Sequence, residues 1–198
     1  MKQNEIISLL STEEWRKVRH NYHVPNKGMD REAASLALLE VDDIFRELGI
    51  KYFLSCGTAL GFYRDGDFIS WDDEIDIEIF SEVYVPRFEE IKETFISHGF
   101  ITRATFRGKT SKMAFFKHGI KIATSALYDN GMGYRCDLQQ KFPNKYYNNG
   151  EKFNFRGRDF ILPGPAEEYL TFYYGDWKTP IKSYNPNEYL NKNNNWRK

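Results

Sequence analysis

The chain has 198 residues, of which 17% are aromatic, and it carries 28 lysines and arginines against 28 aspartates and glutamates. This length predicts one domain with short appendages, and the zero net charge argues against a protein that binds nucleic acid or an anionic membrane through bulk charge. With no apolar run near the roughly 20 residues of a spanning helix, no signal-peptide pattern and only two cysteines, the sequence predicts a cytoplasmic protein without stable membrane insertion.

The first two predicted elements are helices. Residues 1–28 are predicted to be a helical extension, because Ser11 and Glu14 have the spacing of a capping box and residues 24–28 then break the chain. Residues 30–48 form the clearest helix, since Asp30 is a suitable N-cap and apolar residues recur every three or four positions. We expect this helix to pack on a sheet through one stripe, formed by Ala34, Leu38, Val41, Phe45 and Leu48.

The strands begin after this helix. Residues 51–55 are aromatic and apolar and predict a buried strand. Residues 74–80 alternate strictly, which predicts a strand with isoleucines on one face and Glu74, Asp76 and Glu78 on the other. Residues 86–98 predict a helix that starts at a proline and whose inner face is formed by Phe88, Ile91, Phe95 and Ile96.

The second half of the chain is predicted to consist mainly of strands. Short strand signals run from residue 100 to residue 127 and over residues 134–138, and a hairpin is predicted for residues 152–155 and 159–162. A last helix is predicted for residues 165–174, and residues 183–198 for a polar tail. The pattern predicts an α/β (α+β) domain over residues 29–182, with a mixed sheet flanked by helices; its strands include residues 51–55, 74–80 and 134–138.

Stacked carboxylates on one strand face mark the first candidate site. Residues two apart on a strand point the same way and lie about 7 Å apart, so Glu74 and Asp76 project together, with Asp72 in line before them. The neighbouring isoleucines imply a partly dry setting, in which like charges repel unless a cation offsets them. A hard divalent ion, Mg²⁺ or Mn²⁺, is the favoured interpretation, and a solvated outer strand face is the alternative.

A second candidate site lies just upstream of these carboxylates. Cys56, Gly57 and Thr58 end one predicted strand and open a helix-like segment. Free amides at a helix start suit phosphate, particularly where a glycine lets the ligand approach closely. This segment would bind phosphate, and the acidic strand would bind the ion that neutralises it.

Together these segments resemble the LicD family of the nucleotidyltransferase-fold superfamily, which includes the fukutin-type proteins. Residues 57–64 read GTALGFYR and residues 68–77 read FISWDDEIDI, similar to the family pattern G-T-x-L-G-x-x-R followed by I-P-W-D-D-D-x-D. Residues 169–180, YLTFYYGDWKTP, resemble the family's late L-x-x-x-Y-G-x-W-x-x-P. Ser70 and Glu74 depart from the pattern, and residues 136–143 match the family's later acidic strand only loosely.

The resemblance implies a nucleotidyltransferase-like fold and assigns roles to residues. Glu74 and Asp76 would be the catalytic, metal-binding pair, and Asp137 the third carboxylate, acting either as a ligand or as the general base for an acceptor hydroxyl. Substrate contacts would come from Gly57, Thr58, Arg64, Asp72, Lys109, Lys112 and Arg135.

The resemblance also implies a reaction and its partners. Family members move a phospho-substituent, such as phosphocholine or an alditol phosphate, from a CDP-linked donor to a sugar hydroxyl. The chemistry would be in-line attack on phosphorus, helped by Mg²⁺ or Mn²⁺. The acceptor would be a cell-surface glycan or its precursor, of the lipopolysaccharide or teichoic acid kind.

Two other functions remain open from the sequence. The first is transfer of a nucleotide itself, with release of pyrophosphate, because the attacked phosphorus cannot be identified from these motifs. The second is a catalytically inactive module of the same fold that only binds a nucleotide or a glycan.

Overall fold

The computed structural model describes residues 28–138 and 140–183 and the single residue Glu188. The predicted helical extension, residues 1–28, lies outside the described residues except for Gly28. The predicted tail, residues 183–198, lies outside them except for Ser183 and Glu188. The predicted domain limits at residues 29 and 182 stay predictions.

The described residues contain the predicted helices and strands, with shorter strands at residues 51–55 and 134–138, and three short elements that were not predicted (Ser81–Tyr84, Lys141–Pro143 and Lys145–Asn148). The helices are α1 (Arg31–Glu47), α2 (Cys56–Asp65), α3 (Ser81–Tyr84), α4 (Phe88–Ser97), α5 (Lys145–Asn148) and α6 (Ala166–Tyr174). The strands are β1 (Phe53–Leu54), β2 (Glu74–Phe80), β3 (Ile101–Thr105), β4 (Lys112–Lys117), β5 (Ile120–Asp129), β6 (Tyr134–Cys136), β7 (Lys141–Pro143), β8 (Glu151–Phe155) and β9 (Arg158–Leu162).

The main sheet has the strand order β1-β2-β5-β4-β3, and β6 continues from the far end of β5 to pair with β7. Strands β2 and β5 are parallel, and the other pairs are antiparallel, so the sheet is mixed as predicted. Strands β8 and β9 form a separate hairpin. The three strands predicted to share one sheet, β1, β2 and β6, all belong to it.

One face of the sheet is packed against helices α1 and α4. The side chains of Ile75, Ile77 and Ile79 on β2 are at most 1% exposed. The ring of Phe95 on α4 lies 5.2 Å from that of Phe45 on α1 and stacks 3.7 Å from that of Phe115 on β4. The predicted stripe of α1 is confirmed, since Ala34, Leu38, Val41 and Phe45 are fully buried and Leu48 packs at the margin.

Local signals explain where these elements begin and end. Asp30 caps α1 by accepting a hydrogen bond from the backbone amide of Ala33 at 3.1 Å. Helix α4 begins at Phe88, two residues after the proline, and Ile96 is 39% exposed, so its predicted place on the inner face was wrong. The helix turns this residue outward because its inner stripe is completed by Phe88, Ile91 and Phe95.

The aromatic side chains form much of the core, as their number in the sequence suggests. Phe62 on α2 stacks on Phe155 of the β8–β9 hairpin, with ring centroids 4.6 Å apart, and so packs that hairpin against α2. Both cysteines are free. Among the described helices, none combines the length and the apolar composition that crossing a bilayer requires.

Candidate functional site

The acidic side chains of β2 lie on the face opposite the isoleucines, beside the start of α2. Glu74 and Asp76 are half-buried, and Glu78 is 4% exposed. Burial raises the pKa of Asp76 well above its usual range, and the neighbouring carboxylates of Glu74 and Asp72 raise it further. Crowded carboxylates of this kind are stabilised by a cation.

Asp72 belongs to the same group. Burial raises its pKa to about 7, although hydrogen bonds from the backbone amides of Asp73 and Glu74 oppose the shift. The Asp72 carboxylate packs against Gly57. A Cβ atom at residue 57 would overlap with Asp72 Oδ2. Any larger residue at position 57 would therefore displace the Asp72 carboxylate.

The start of helix α2 is tied to the acidic strand through its backbone. The amide of Asp76 donates a hydrogen bond to Thr58 Oγ1 at 2.9 Å, and the amide of Ser55 donates one to the carbonyl of Asp76 at 3.1 Å. Cys56 adopts a left-handed φ of 45° and donates its amide to the Tyr169 hydroxyl. The predicted phosphate segment and acidic strand thus meet, but the Thr58 hydroxyl is already used within the fold.

Two lysines from neighbouring strands pair with two of the predicted metal ligands. Lys121 on β5 lies directly across from Glu74 in the parallel pairing and forms an ion pair with its Oε2. Lys112 on β4 lies 3.6 Å from Asp137 Oδ2. Each carboxylate therefore has a cationic partner before any ion is added.

The position beside Asp76 on the adjacent strand holds a small apolar residue. The register pairs Asp76 with Ala123 on β5 and Ala123 with Ala114 on β4. Since directly paired residues share a face of the sheet, strand β5 offers no carboxylate next to Asp76. A further acid besides Asp72 has to come from Asp137, which follows β6, or from Glu78.

Glu78 occupies the most enclosed position of the acidic face. The Tyr147 hydroxyl donates a hydrogen bond to its Oε2 at 2.7 Å. Burial raises the pKa of Glu78 to about 8, with the Tyr147 hydrogen bond working against the shift. Because it is almost fully buried and already accepts a hydrogen bond from Tyr147, this carboxyl group is less open to an ion than Glu74.

The remaining predicted substrate contacts are engaged elsewhere. Arg64 lies at the far end of α2, roughly 12 Å along the helix from Cys56 at 1.5 Å per residue, where it pairs with Asp65 at 2.8 Å. Arg135 packs 3.6 Å from the Phe80 ring centroid, and Lys109 sits 3.9 Å above the Tyr128 ring. The structure brings Gly57, Thr58, Asp72, Glu74 and Asp76 together, with Lys112 and Asp137 paired nearby.

The donor set fits a hard divalent cation by its chemistry. Within the described ranges, no three histidine, cysteine or acidic side chains already surround a common ion position. Asp72, Glu74 and Asp76 nevertheless offer carboxylate oxygens, the ligands that Mg²⁺ and Mn²⁺ prefer. Their burial and mutual repulsion are the conditions that a cation relieves.

Lys121, Ala123 and Tyr147 are parts of the site that the sequence interpretation missed. A lysine between Ile120 and Ile122 on a predicted strand is a signal that a charged face lies there. Only the register of β5 against β2 shows that this lysine meets Glu74. Nothing in the local sequence around Tyr147 indicates its contact with Glu78, 69 residues away.

A solved structure shares this architecture. The structure described as "Crystal Structure of ANT(2")-Ia in complex with adenylyl-2"-tobramycin" superposes with a TM-score of 0.51 and is 12% identical in sequence. The match covers 78% of this chain and 83% of that one. The likeness confirms the predicted nucleotidyltransferase-like fold.

Sequence relatives point in the same direction. The chain is 28% identical over 155 residues to the Mus musculus "Ribitol-5-phosphate transferase FKTN", covering 70% of this chain and 32% of the relative. It is 26% identical over 165 residues to the Homo sapiens protein of the same name, covering 78% of this chain and 35% of the relative. This chain thus spans about a third of the length of these curated relatives.

The family itself is established by the match to its sequence model, described as "LicD/FKTN/FKRP, nucleotidyltransferase domain". The match runs over residues 49–165, which is more than half of the chain and contains Gly57, Glu74, Asp76 and Asp137. The resemblance drawn from the sequence motifs is therefore confirmed, and the chain belongs to the LicD/FKTN/FKRP family of nucleotidyltransferase-fold domains.

Proposed function

We propose that this protein is a metal-dependent transferase that moves a phospho-substituent from a CDP-linked donor to a hydroxyl group of a glycan. Of the two substituents implied by the sequence resemblance, an alditol phosphate is favoured over phosphocholine, because the relatives are named as ribitol-5-phosphate transferases. The predicted cytoplasmic location stays a prediction.

The observation that carries the proposal is the meeting of β2 with the start of α2. Glu74 and Asp76 project from one face of β2, and Asp72 just before the strand packs its carboxylate against Gly57 at the helix start. The backbone amide of Asp76 donates to Thr58, which fixes the main chain of this aspartate relative to the helix start. This is the arrangement that suits a diphosphate and its counter-ion.

The residues take distinct roles in this reaction. Asp76 and Glu74 would hold Mg²⁺ or Mn²⁺, with Asp72 as a further ligand, and the ion when bound neutralises phosphate charge and stabilises the departing CMP. Asp137 takes the proton of the attacking hydroxyl, and Lys112, 3.6 Å away, holds its carboxylate in place. The Gly57 segment positions the donor phosphates.

The experiment is a transfer assay with defined products. The protein is incubated with Mn²⁺, CDP-ribitol and glycan acceptors, and the nucleotide product is identified. CMP release that needs both the acceptor and Asp76 supports the proposal. Pyrophosphate release from a nucleoside triphosphate would replace it with nucleotidyl transfer, the alternative left open by the sequence.

A non-catalytic binding module is the second candidate, and one observation favours it. Ala123 faces Asp76 where a further carboxylate would complete a ligand set, and lysines already neutralise Glu74 and Asp137. A module of this kind would bind CDP in a calorimeter and release no CMP with any acceptor. Turnover above that of the Asp76→Asn variant would exclude it.

A further inference from the structure

Lys121 occupies a special position in the sheet. Its strand, β5, lies between β2 and β4, so its backbone is paired on both sides. The register places it opposite Glu74, and the two side chains are 26% and 27% exposed. The ion pair is thus partly shielded from solvent and lies at the edge of the cluster formed by Asp72, Glu74 and Asp76.

Lys121 is surrounded by more negative than positive charge. Burial lowers the pKa of this ammonium, but the carboxylates of Glu74, Asp73 and Asp76 raise it, and the net shift is upward. One ammonium group therefore serves several carboxylates. Beside it on the same face lies Ala123, whose small side chain leaves room in the row of Asp76.

A divalent ion and the Lys121 ammonium compete for the same carboxylate. Glu74 Oε2 already contacts the lysine, and two cations at one oxygen repel each other strongly at short range. Once Glu74 binds an ion, the ammonium loses the carboxylate with which it forms its ion pair, in a half-buried place. A phosphate oxygen is a suitable new partner, because a lysine ammonium is a compact charge on a flexible stem.

We propose that Lys121 is an exchangeable counter-ion of the site: it neutralises Glu74 in the ion-free protein and binds a donor phosphate when a divalent ion occupies Glu74. This inference rests on the proposed function and adds a residue to it. In the ion-free protein, the Lys121 ammonium offsets the repulsion between the carboxylates. Because Lys121 is released only when Glu74 binds an ion, the donor binds after the ion.

The test uses two neutral variants, Lys121→Met and Lys121→Gln, and a matched control. Lys117→Met removes a lysine of nearly equal exposure, 27%, whose ion pair with Glu40 at 2.5 Å lies outside the site. Melting temperatures are measured first, and the glutamine variant replaces the methionine variant if that one is unstable. Calorimetry then gives the affinity for Mn²⁺ alone, and for CDP at saturating Mn²⁺.

The expected result is a change in opposite directions. The Lys121 variants bind Mn²⁺ about fivefold more tightly, because the competing ammonium is gone, and bind CDP about tenfold more weakly, because a phosphate contact is lost. The Lys117 control changes neither affinity by more than about twofold.

Other outcomes overturn the inference and separate it from the proposed function. Mn²⁺ affinity that is unchanged or weaker in the Lys121 variants, or CDP affinity equal to that of the wild type, excludes the exchange while leaving the transferase proposal intact. A wild-type protein that binds no Mn²⁺ would remove both. Wild-type transfer of the phospho-substituent without any Lys121 dependence would remove only the inference.

Discussion

The two faces of strand β2 differ in the kind of contact that they make with the rest of the protein. The isoleucine face is completely buried, and its partners are other apolar side chains from helices α1 and α4 and strand β4. The acidic face meets specific charged or polar partners: Lys121 for Glu74 and Tyr147 for Glu78. Apolar contacts tolerate many partners, whereas each of these polar contacts depends on one residue at one register.

This difference predicts that substitutions on the two faces affect different properties of the protein. A change on the isoleucine face should cost stability and leave the chemistry of folded molecules intact. A change on the acidic face should cost function, with stability unchanged or even improved. The variants below test that division, starting with the largest expected effect.

Asp76→Asn should reduce transfer activity about a thousandfold, since it removes a charged ligand from the ion. Its melting temperature without metal should be unchanged or higher, because the substitution relieves repulsion from Glu74 and Asp72. Calorimetry with Mn²⁺, the transfer assay and thermal melting measure the three quantities.

The matched control for this variant is Asp43→Asn, which neutralises an aspartate that pairs with Arg158 on the surface. It should leave Mn²⁺ affinity and transfer unaffected. A clear loss of ion-free stability in Asp76→Asn would identify Asp76 as a structural residue and contradict the division between the faces.

Ile77→Ala should lower the free energy of unfolding by about 3 kcal/mol, because it leaves a cavity under a side chain that is 1% exposed. Denaturant unfolding measures the loss. At low temperature, where the variant is folded, Mn²⁺ affinity should stay within about twofold of the wild type. A large fall in ion affinity of the folded variant would show that the faces are coupled.

Ala123→Asp should raise Mn²⁺ affinity about tenfold, by placing a carboxylate next to Asp76 on the adjacent strand. Ala114→Asp adds the same group one strand further away, about 4.8 Å more, and should give a smaller gain. Equal gains in the two variants would mean that the added charge acts at long range and that residue 123 has no special place.

The last prediction concerns pH. The pKa of Glu78 rises from about 4.5 to about 8 on folding, so between these values the folded state binds more protons than the unfolded state. Glu78 should therefore cost the ion-free protein roughly 1 kcal/mol of stability per pH unit as pH rises from 5 to 7, in addition to a loss of the same sign from Asp72 and Asp76, whose pKa values are also raised. Glu78→Gln keeps an acceptor for Tyr147 and should reduce the measured slope by roughly 1 kcal/mol per pH unit; an unchanged slope would exclude a contribution from Glu78.

Much of the packed face could be predicted from the sequence. The alternation in residues 74–80 and the stripe of α1 are physical periodicities that local sequence records. The motif around Gly57 also identified the family and placed the acids beside the helix start. Ile96 was misplaced because a four-residue apolar stripe on a ten-residue helix does not fix the orientation of its last turn.

The polar partners could not be predicted in the same way. Lys121 and Ala123 belong to the site because the parallel pairing of β5 with β2 places them opposite Glu74 and Asp76. A register shift of one residue would turn both side chains to the other face of the sheet. Arg64 fitted the motif, but its side chain pairs with its neighbour Asp65 at the far end of α2. Register and side-chain direction are properties of the assembled sheet.

The insertion of β5 between β2 and β4 has a consequence for the order of folding. Strands β4 and β5 are joined by the tight turn at His118 and Gly119, whereas Glu74 and Lys121 must close a far longer loop. We therefore expect the β4–β5 hairpin to form early and the acidic face to be completed near the end. A ligand of that face arrives too late to accelerate folding, and it should act instead by slowing the rate of unfolding.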